Sequence, residues 1–331
     1  MTDTGLTDPG STDRDDASPV TLVADIGGTN ARFGLIDGRG VRDSRILPCA
    51  DFPSLEEAAR AYLALAPSAA RPRRGAFAVA GPVTGDRIAL TNLVWSFSTE
   101  EVRQRLGLER LAVVNDFTAV AMSVPRLAPG DLRQVGEGTP DGAGVVGVLG
   151  PGSGLGVSGL VPGPNGWTAL SGEGGHVTMA PIDDRESAVL AHLRGRFEHV
   201  SAERVLSGPG LVNLYTALCA LDGIKARPLA PAEVAESGAA GTDAQAREAV
   251  EMFCAMLGTV AGNLALSLGA RGGVYIAGGI VPKLGDLFTG SRFRERFMEK
   301  GRMRGFLAPI PTYVVTHELP AFLGLAEAAE R

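Results

Sequence analysis

Leu22-Val23-Ala24-Asp25-Ile26-Gly27-Gly28-Thr29 sets a carboxylate near the end of an apolar run, just before two glycines. An alternating pattern, Asn30-Ala31-Arg32-Phe33-Gly34-Leu35, then resumes, so the segment reads as strand, tight turn, strand. Gly27 and Gly28 let a ligand approach backbone that a Cβ would shield. Successive N–H groups in such a turn make an anion-binding nest. A bare phosphate beside Asp25 would be repelled, whereas a Mg²⁺ between the two removes the conflict. The chemistry expected of Ala24, Asp25, Ile26, Gly27, Gly28 and Thr29 is therefore that of a metal–nucleotide site, with Asp25 acting on the metal indirectly. The plain alternative is a glycine hairpin with a solvated Asp. No Gly-Lys pair occurs in the chain, so this is not a Walker A loop. A strand follows the glycines, so it is not a dinucleotide fingerprint either.

Two further glycine turns follow apolar runs. Val145 to Gly150 leads into Pro151-Gly152-Ser153-Gly154, and Gly273 to Ala277 into Gly278-Gly279. Three such turns can surround one nucleotide, two gripping phosphates and the third leaving room for a flat base. Asn115-Asp116 ends another apolar run, where open α/β sheets bind ligands. That pair can hold two sugar hydroxyls, with Asp116 taking a proton, or simply cap the following helix. An ordinary Asp, with a pKa of about 4, is a weak base. Phosphoryl transfer tolerates this because its loose transition state asks mainly for orientation. Ser171-Gly172-Glu173-Gly174-Gly175-His176 sets an acceptor and a donor amid glycines, suited to hydroxyls and short of a metal set. His176 could also be structural. Glu203, in Ser201-Ala202-Glu203-Arg204, reads equally as a ligand or as a first-turn carboxylate complementing a helix dipole.

The elements that must position these residues follow from local signals. Ser54/Glu57 and Ser98/Glu101 are capping boxes, and Gly107 stops the second helix. Gly75–Ala80 reads as a strand, Thr84-Gly85-Asp86-Arg87 as a hairpin turn and Ile88-Ala89-Leu90 as the returning strand. The strand–glycine turn–strand unit near residue 25 recurs near residue 150, which suggests a duplicated architecture. Asp243–Leu268 reads as a long helix in which Gly258 and Gly262 admit close neighbours, and a terminal helix runs from Ala321. Mixed strands and alternating helices predict an α/β chain.

At 331 residues, two domains are expected. Residues 1–18 hold five of the acidic residues against one Arg, lack aromatics and read as a disordered tail without a signal-peptide pattern. The remainder is near charge balance, which argues against a nucleic-acid partner. No apolar run reaches membrane-span length, so no membrane partner is expected. Cys49, Cys219 and Cys254 are too dispersed for a disulfide framework, and a cytoplasmic protein is expected.

Taken together, Ala24–Arg32, Val114–Val120, Gly172–Val177, Ser201–Gly210 and Ile276–Pro282 resemble the bacterial glucokinases of the hexokinase-like type, from about Val20 to the C-terminus. The resemblance implies an actin-like ATPase (ribonuclease H-like) fold of two domains with mixed sheets and an active-site cleft between them. It divides the chain into residues 19–125 plus 317–331 as a small domain and 126–316 as a large one. It implies ATP-dependent phosphorylation of the glucose 6-hydroxyl, with Mg²⁺ as cofactor and a homodimer as the expected assembly. Asp116 would be the base; Asn115, Asp116, Glu173, His176 and Glu203 would hold the sugar. Ala24–Thr29 and Gly152-Ser153-Gly154 would hold phosphates, and Gly278-Gly279 would lie near the adenosine. A related repressor–kinase group with structural zinc carries a cysteine cluster after its histidine. Val177-Thr178-Met179-Ala180-Pro181 has none, so no zinc is expected. The alternatives are a kinase for another hexose or a sugar sensor without catalysis.

Overall fold

The computed structural model describes residues 20–37, 40–66, 71–90, 93 and 95–330, so the acidic tail lies outside the described residues. In chain order the strands are β1 (Thr21–Ile26), β2 (Asn30–Asp37), β3 (Gly40–Pro48), β4 (Arg74–Val79), β5 (Arg87–Ala89), β6 (Ser96–Ser98) and β7 (Arg110–Asn115). They continue with β8 (Leu132–Val135), β9 (Val146–Pro151), β10 (Leu155–Gly163), β11 (Gly166–Ser171), β12 (Val274–Ile276) and β13 (Thr312–Val315). The helices are α1 (Leu55–Leu65), α2 (Thr99–Arg105), α3 (Asp116–Ser123), α4 (Asp184–Arg194), α5 (Gly208–Leu221), α6 (Pro231–Ala240) and α7 (Ala244–Leu268). After them come α8 (Val281–Leu284), α9 (Asp286–Thr289), α10 (Phe293–Met298), α11 (Arg304–Leu307) and α12 (Pro320–Glu330).

Two mixed sheets repeat one plan. The first has the order β3-β2-β1-β4-β7 and the second β11-β10-β9-β12-β13-β8. In each, an antiparallel meander of three strands ends on a strand that continues the sheet in parallel: β1 with β4 and β7, β9 with β12 and β13. Parallel strands share one carboxyl edge. The turns after β1, β7, β9 and β12 therefore all emerge at the ligand-binding ends of their sheets.

Short-range signals build the helices. Ser54 accepts the Glu57 N–H at 3.3 Å, Ser98 the Glu101 N–H at 3.1 Å and Asp243 the Ala246 N–H at 2.9 Å, each satisfying an orphan donor of its first turn. Gly107 takes a φ of 68° where α2 stops. One expected pairing is corrected. β5 does not return along β4, because β1 and β7 already occupy both edges of β4. It pairs instead with β6, Arg87 opposite Ser98, in a separate two-stranded sheet.

Three apolar clusters result. One gathers α1, Trp95 and Phe97 against the first sheet. The largest surrounds α5 and α7 beside the second sheet. The third joins Val23, Ala76 and Ala78 of the first sheet to Val146, Val148 and Leu160 of the second through α3 and α12, so these two helices form the seam between the sheets. α12 brings the chain end back to pack on α3, β1 and β4. A buried ion pair ties the second cluster together. Arg296 of α10 donates to both carboxylate oxygens of Glu186 at 2.6 and 3.1 Å and to Thr259 at 2.9 Å.

α7 departs from the expectation that no segment reaches membrane-span length. It is long and apolar enough to cross a membrane, but 78% of its most apolar window is buried in the second cluster. Gly258 and Gly262 do admit close neighbours. A Cβ at Gly258 would strike the Phe293 carbonyl, and one at Gly262 the Phe297 carbonyl. Gly258→Ala should therefore cost stability, because the collision outweighs the roughly 1 kcal/mol that alanine gains over glycine in a helix. Urea unfolding should show a net loss of about 1–3 kcal/mol; an unchanged midpoint would show that α10 gives way freely.

Candidate active site

Asn115 ends β7 and Asp116 opens α3, at the carboxyl edge of the first sheet. The capping reading of this pair is correct as far as it goes. Asn115 Oδ1 accepts the Thr118 N–H at 3.0 Å, while its Nδ2 donates to the Gly81 carbonyl at 3.2 Å. Asp116 Oδ1 accepts the Phe117 N–H at 2.8 Å. The cap thus serves the site, because it fixes one oxygen of a carboxylate that lines the cleft and leaves Oδ2 without a hydrogen-bond partner among the described residues.

Asp116 is not an ordinary carboxylate, which corrects the expectation of a pKa near 4. Burial lifts it, the Phe117 N–H pulls it down, and the negative charges of Asp25 and Glu173 lift it again, to about 6. That makes it a better proton acceptor near neutrality.

A cavity of about 420 Å³ brings together Asn115, Asp116, Glu173, His176 and Glu203 with Gly152, Ser153 and Gly154. Glu173 and His176 follow β11, with Nε2 of the imidazole 4.0 Å from Oε2 of the carboxylate, both still open to solvent. Gly175 lets this segment press on β10, since a Cβ there would strike the Leu155 carbonyl. Glu203 lies on a single 3-10 turn, Ala202–Arg204, so there is no long helix dipole for it to complement. Its Oε2 instead accepts the Leu155 N–H at 2.9 Å, closing the Gly152–Gly154 turn from one side.

A second cavity, also about 420 Å³, lies beside the first and is lined by Asp25, Arg32, Gly278, Gly279, Lys283 and His317 among others. Gly278, at a φ of 83°, lies against the Pro151 carbonyl of the second turn, where a Cβ would collide. Gly27, Gly28 and Thr29 form the β1–β2 turn, braced by the Cys49 N–H on the Thr29 carbonyl at 2.9 Å and the Cys49 thiol on the Gly27 carbonyl at 3.6 Å. The side chains of Ala24 and Ile26 are buried in the core, so these two residues can offer a ligand only backbone. Asp25 has no hydrogen-bond or ion-pair partner among the described residues, and its burial pushes the carboxyl up against the pull of Arg32. An unpartnered, poorly solvated carboxylate is suited to a cation. Among the described residues no three His, Cys, Asp or Glu side chains form a metal cluster. Mg²⁺ needs none, since it binds through one or two carboxylates plus phosphates and water.

Gly81, Phe117, Lys283 and His317 also line the cavities, although the sequence marks none of them as a ligand and His317 reads there as structural. Gly81 had a local signal, a glycine directly after a strand; the others had none.

Residues 22–331 match the family model described as Glucokinase. The chain is 56% identical over 312 residues to the glucokinase of Paramagnetospirillum magneticum, covering 93% of this chain and 97% of that one. It is 52% identical over 306 residues to the glucokinase of Chromobacterium violaceum, covering 92% and 88%. Among solved structures, a glucokinase from an Antarctic psychrotroph superposes with a TM-score of 0.84 at 39% identity, over 94% of this chain and 98% of the other.

Glu173→Ala and Glu203→Ala separate the two halves of the site. Both should raise the glucose KM roughly ten- to hundredfold, since losing a charge-assisted hydrogen bond costs about 1.5–3 kcal/mol. Only Glu203→Ala should also raise the ATP KM, because Leu155 then loses its acceptor. Steady-state kinetics with each substrate varied in turn would measure this, and equal ATP constants in the two variants would contradict it. The mixed two-sheet fold, the shared carboxyl edge and the sequence match agree, and this chain belongs to the glucokinase family.

Proposed function

We propose that the chain transfers the terminal phosphoryl group of ATP to the 6-hydroxyl of D-glucose, with Asp116 as general base. The observation that carries this reading is the state of Asp116. Its carboxylate is partly desolvated and raised to about 6, held at Oδ1 by a backbone N–H, and lies in one cavity with the Gly152–Gly154 turn. A sugar sensor that does not catalyse has no need of a tuned base beside a phosphate turn.

In this reading Glu173, His176, Glu203 and Asn115 hold the ring hydroxyls, carboxylates accepting and the imidazole or amide donating. The 6-hydroxyl gives its proton to Oδ2 of Asp116 as its oxygen bonds to the γ-phosphorus, and the bond to the β,γ-bridging oxygen breaks to release ADP. The transition state is loose, so alignment contributes more than early deprotonation. Backbone N–H groups of the Gly27–Thr29 and Gly152–Gly154 turns hold the phosphates, and Gly278-Gly279 leaves space for the adenosine. Asp25 would hold a Mg²⁺ ion, which when bound offsets phosphate charge. We further propose that residues 19–125 with 317–331 move as one body against 126–316 when glucose binds. Glu173 and His176 are open to solvent as they stand, and closure would exclude water as a competing acceptor.

The test is Asp116→Asn in a coupled assay with ATP and Mg²⁺, alongside calorimetric glucose binding. Glucose affinity should persist while kcat falls about 10²- to 10⁴-fold. The wild-type kcat/KM should rise with pH through about 6, because the raised carboxyl must lose its proton before it can accept one. A near-wild-type kcat in the variant would remove Asp116 from the role of base.

A further inference from the structure

Two glycines face each other in the hairpin that carries the second phosphate turn. Gly156 of β10 is paired directly with Gly150 of β9, one step from the Pro151–Leu155 end of the ladder. Glycine inside a strand weakens it and marks a place where something else comes close. Here it is the ring of Phe117. A Cβ at Gly156 would fall inside that ring, and a Cβ at Gly150 would sit 2.8 Å from its Cζ. The ring rests in a notch that only this glycine pair leaves open.

Phe117 is also the residue after Asp116, and its N–H donates to Asp116 Oδ1 at 2.8 Å. Its backbone therefore holds the carboxylate while its ring holds the phosphate hairpin of the other sheet. Phe117 also lines both cavities, so it stands where the two meet.

We propose that Phe117, seated on the Gly150–Gly156 pair, is a positioning residue that sets the distance between the Asp116 carboxylate and the second phosphate turn. This rests on the reading of Asp116 as the base. The ring touches no proton in the reaction. Its work is to keep the first sheet's carboxylate in register with the second sheet's turn where the two bodies meet, so that on closure the acceptor hydroxyl and the phosphoryl group meet in line. A shift of about 1 Å in such alignment costs on the order of a hundredfold in rate. Gly150 is required by the Ala277 carbonyl as well, 2.5 Å from where its Cβ would lie, but Gly156 meets only the Phe117 ring; a smaller side chain at 117 and an ordinary residue at 156 would fill the same space without weakening β10.

The experiment is a double-mutant cycle on Phe117→Ala and Gly156→Ala, with steady-state kinetics, glucose binding by calorimetry and circular dichroism as a check on folding. Phe117→Ala should lower kcat by about ten- to hundredfold with the glucose Kd within about threefold of wild type. Phe117→Leu, which refills part of the notch, should recover much of that loss and carries the test if the alanine variant is not obtained folded. Gly156→Ala should be severely impaired alone, yet Phe117→Ala/Gly156→Ala should be no worse than Phe117→Ala, because the added methyl then has room. A wild-type kcat in Phe117→Ala, or the same penalty for Ala at position 156 with and without the ring, would overturn the proposal. Asp116→Asn run in parallel separates the two readings. If it is inactive while Phe117→Ala is fully active, only the positioning role fails; if it is active, the assignment of the base fails first.

Discussion

The structure turns on keeping one carboxylate where water only partly reaches it and where other carboxylates repel it. Asp116 shares its cleft with Asp25 and Glu173, both of which raise its pKa. Left to itself a side chain so placed would turn toward solvent. The cap geometry prevents this: Asn115 fixes the start of α3, Asn115 is in turn pinned to the Gly81 carbonyl, and the Phe117 N–H holds one oxygen of Asp116. A helix cap found in any protein would, in the proposed mechanism, aim the base. In the proposed mechanism a cation would offset this gathered negative charge, and Asp25, which has no hydrogen-bond or ion-pair partner among the described residues, would face it.

Duplication of the sheet plan supplies the scaffold. Each copy contributes a glycine turn between its first two antiparallel strands and a second loop at the end of a parallel strand. Within the second copy, Glu203, which lines the same cavity as Asp116, also accepts the Leu155 N–H beside the Gly152–Gly154 turn. α3 and α12 fill the seam between the sheets, and Gly324 lets α12 approach so closely that a Cβ there would meet the Ala119 carbonyl. Movement of one sheet against the other therefore has a tightly packed pair of helices as its pivot.

Much of this was legible in the sequence because much of it is local. Ser54, Ser98 and Asp243 announce their helices three residues ahead, and the glycine turns after β1, β9 and β12 stand where apolar runs stop. Gly258 and Gly262 also read correctly as points of close approach. What escaped depends on contacts between distant segments. The strand at Arg87–Ala89 reads as the return of β4 until both edges of β4 are seen to be taken. The contact between Glu203 and Leu155 spans 48 residues and leaves no trace at either site. The raised pKa of Asp116 comes from burial and from carboxylates elsewhere in the chain, so an isolated Asn-Asp pair gives no hint of it. Nothing local marks Phe117 as a positioning residue, because its glycine seat lies more than thirty positions away.

The central claim is that Asp116 and the Gly152–Gly154 turn flank one reacting pair of atoms. A crystal structure of the wild-type protein with glucose and a non-hydrolysable ATP analogue addresses it most directly. The account predicts that the glucose 6-hydroxyl lies about 2.6–3.2 Å from Oδ2 of Asp116, a hydrogen-bond distance for proton transfer, with the γ-phosphorus beyond it on the Gly152–Gly154 turn. A 6-hydroxyl turned away from Asp116, or a terminal phosphate seated away from that turn, would contradict it.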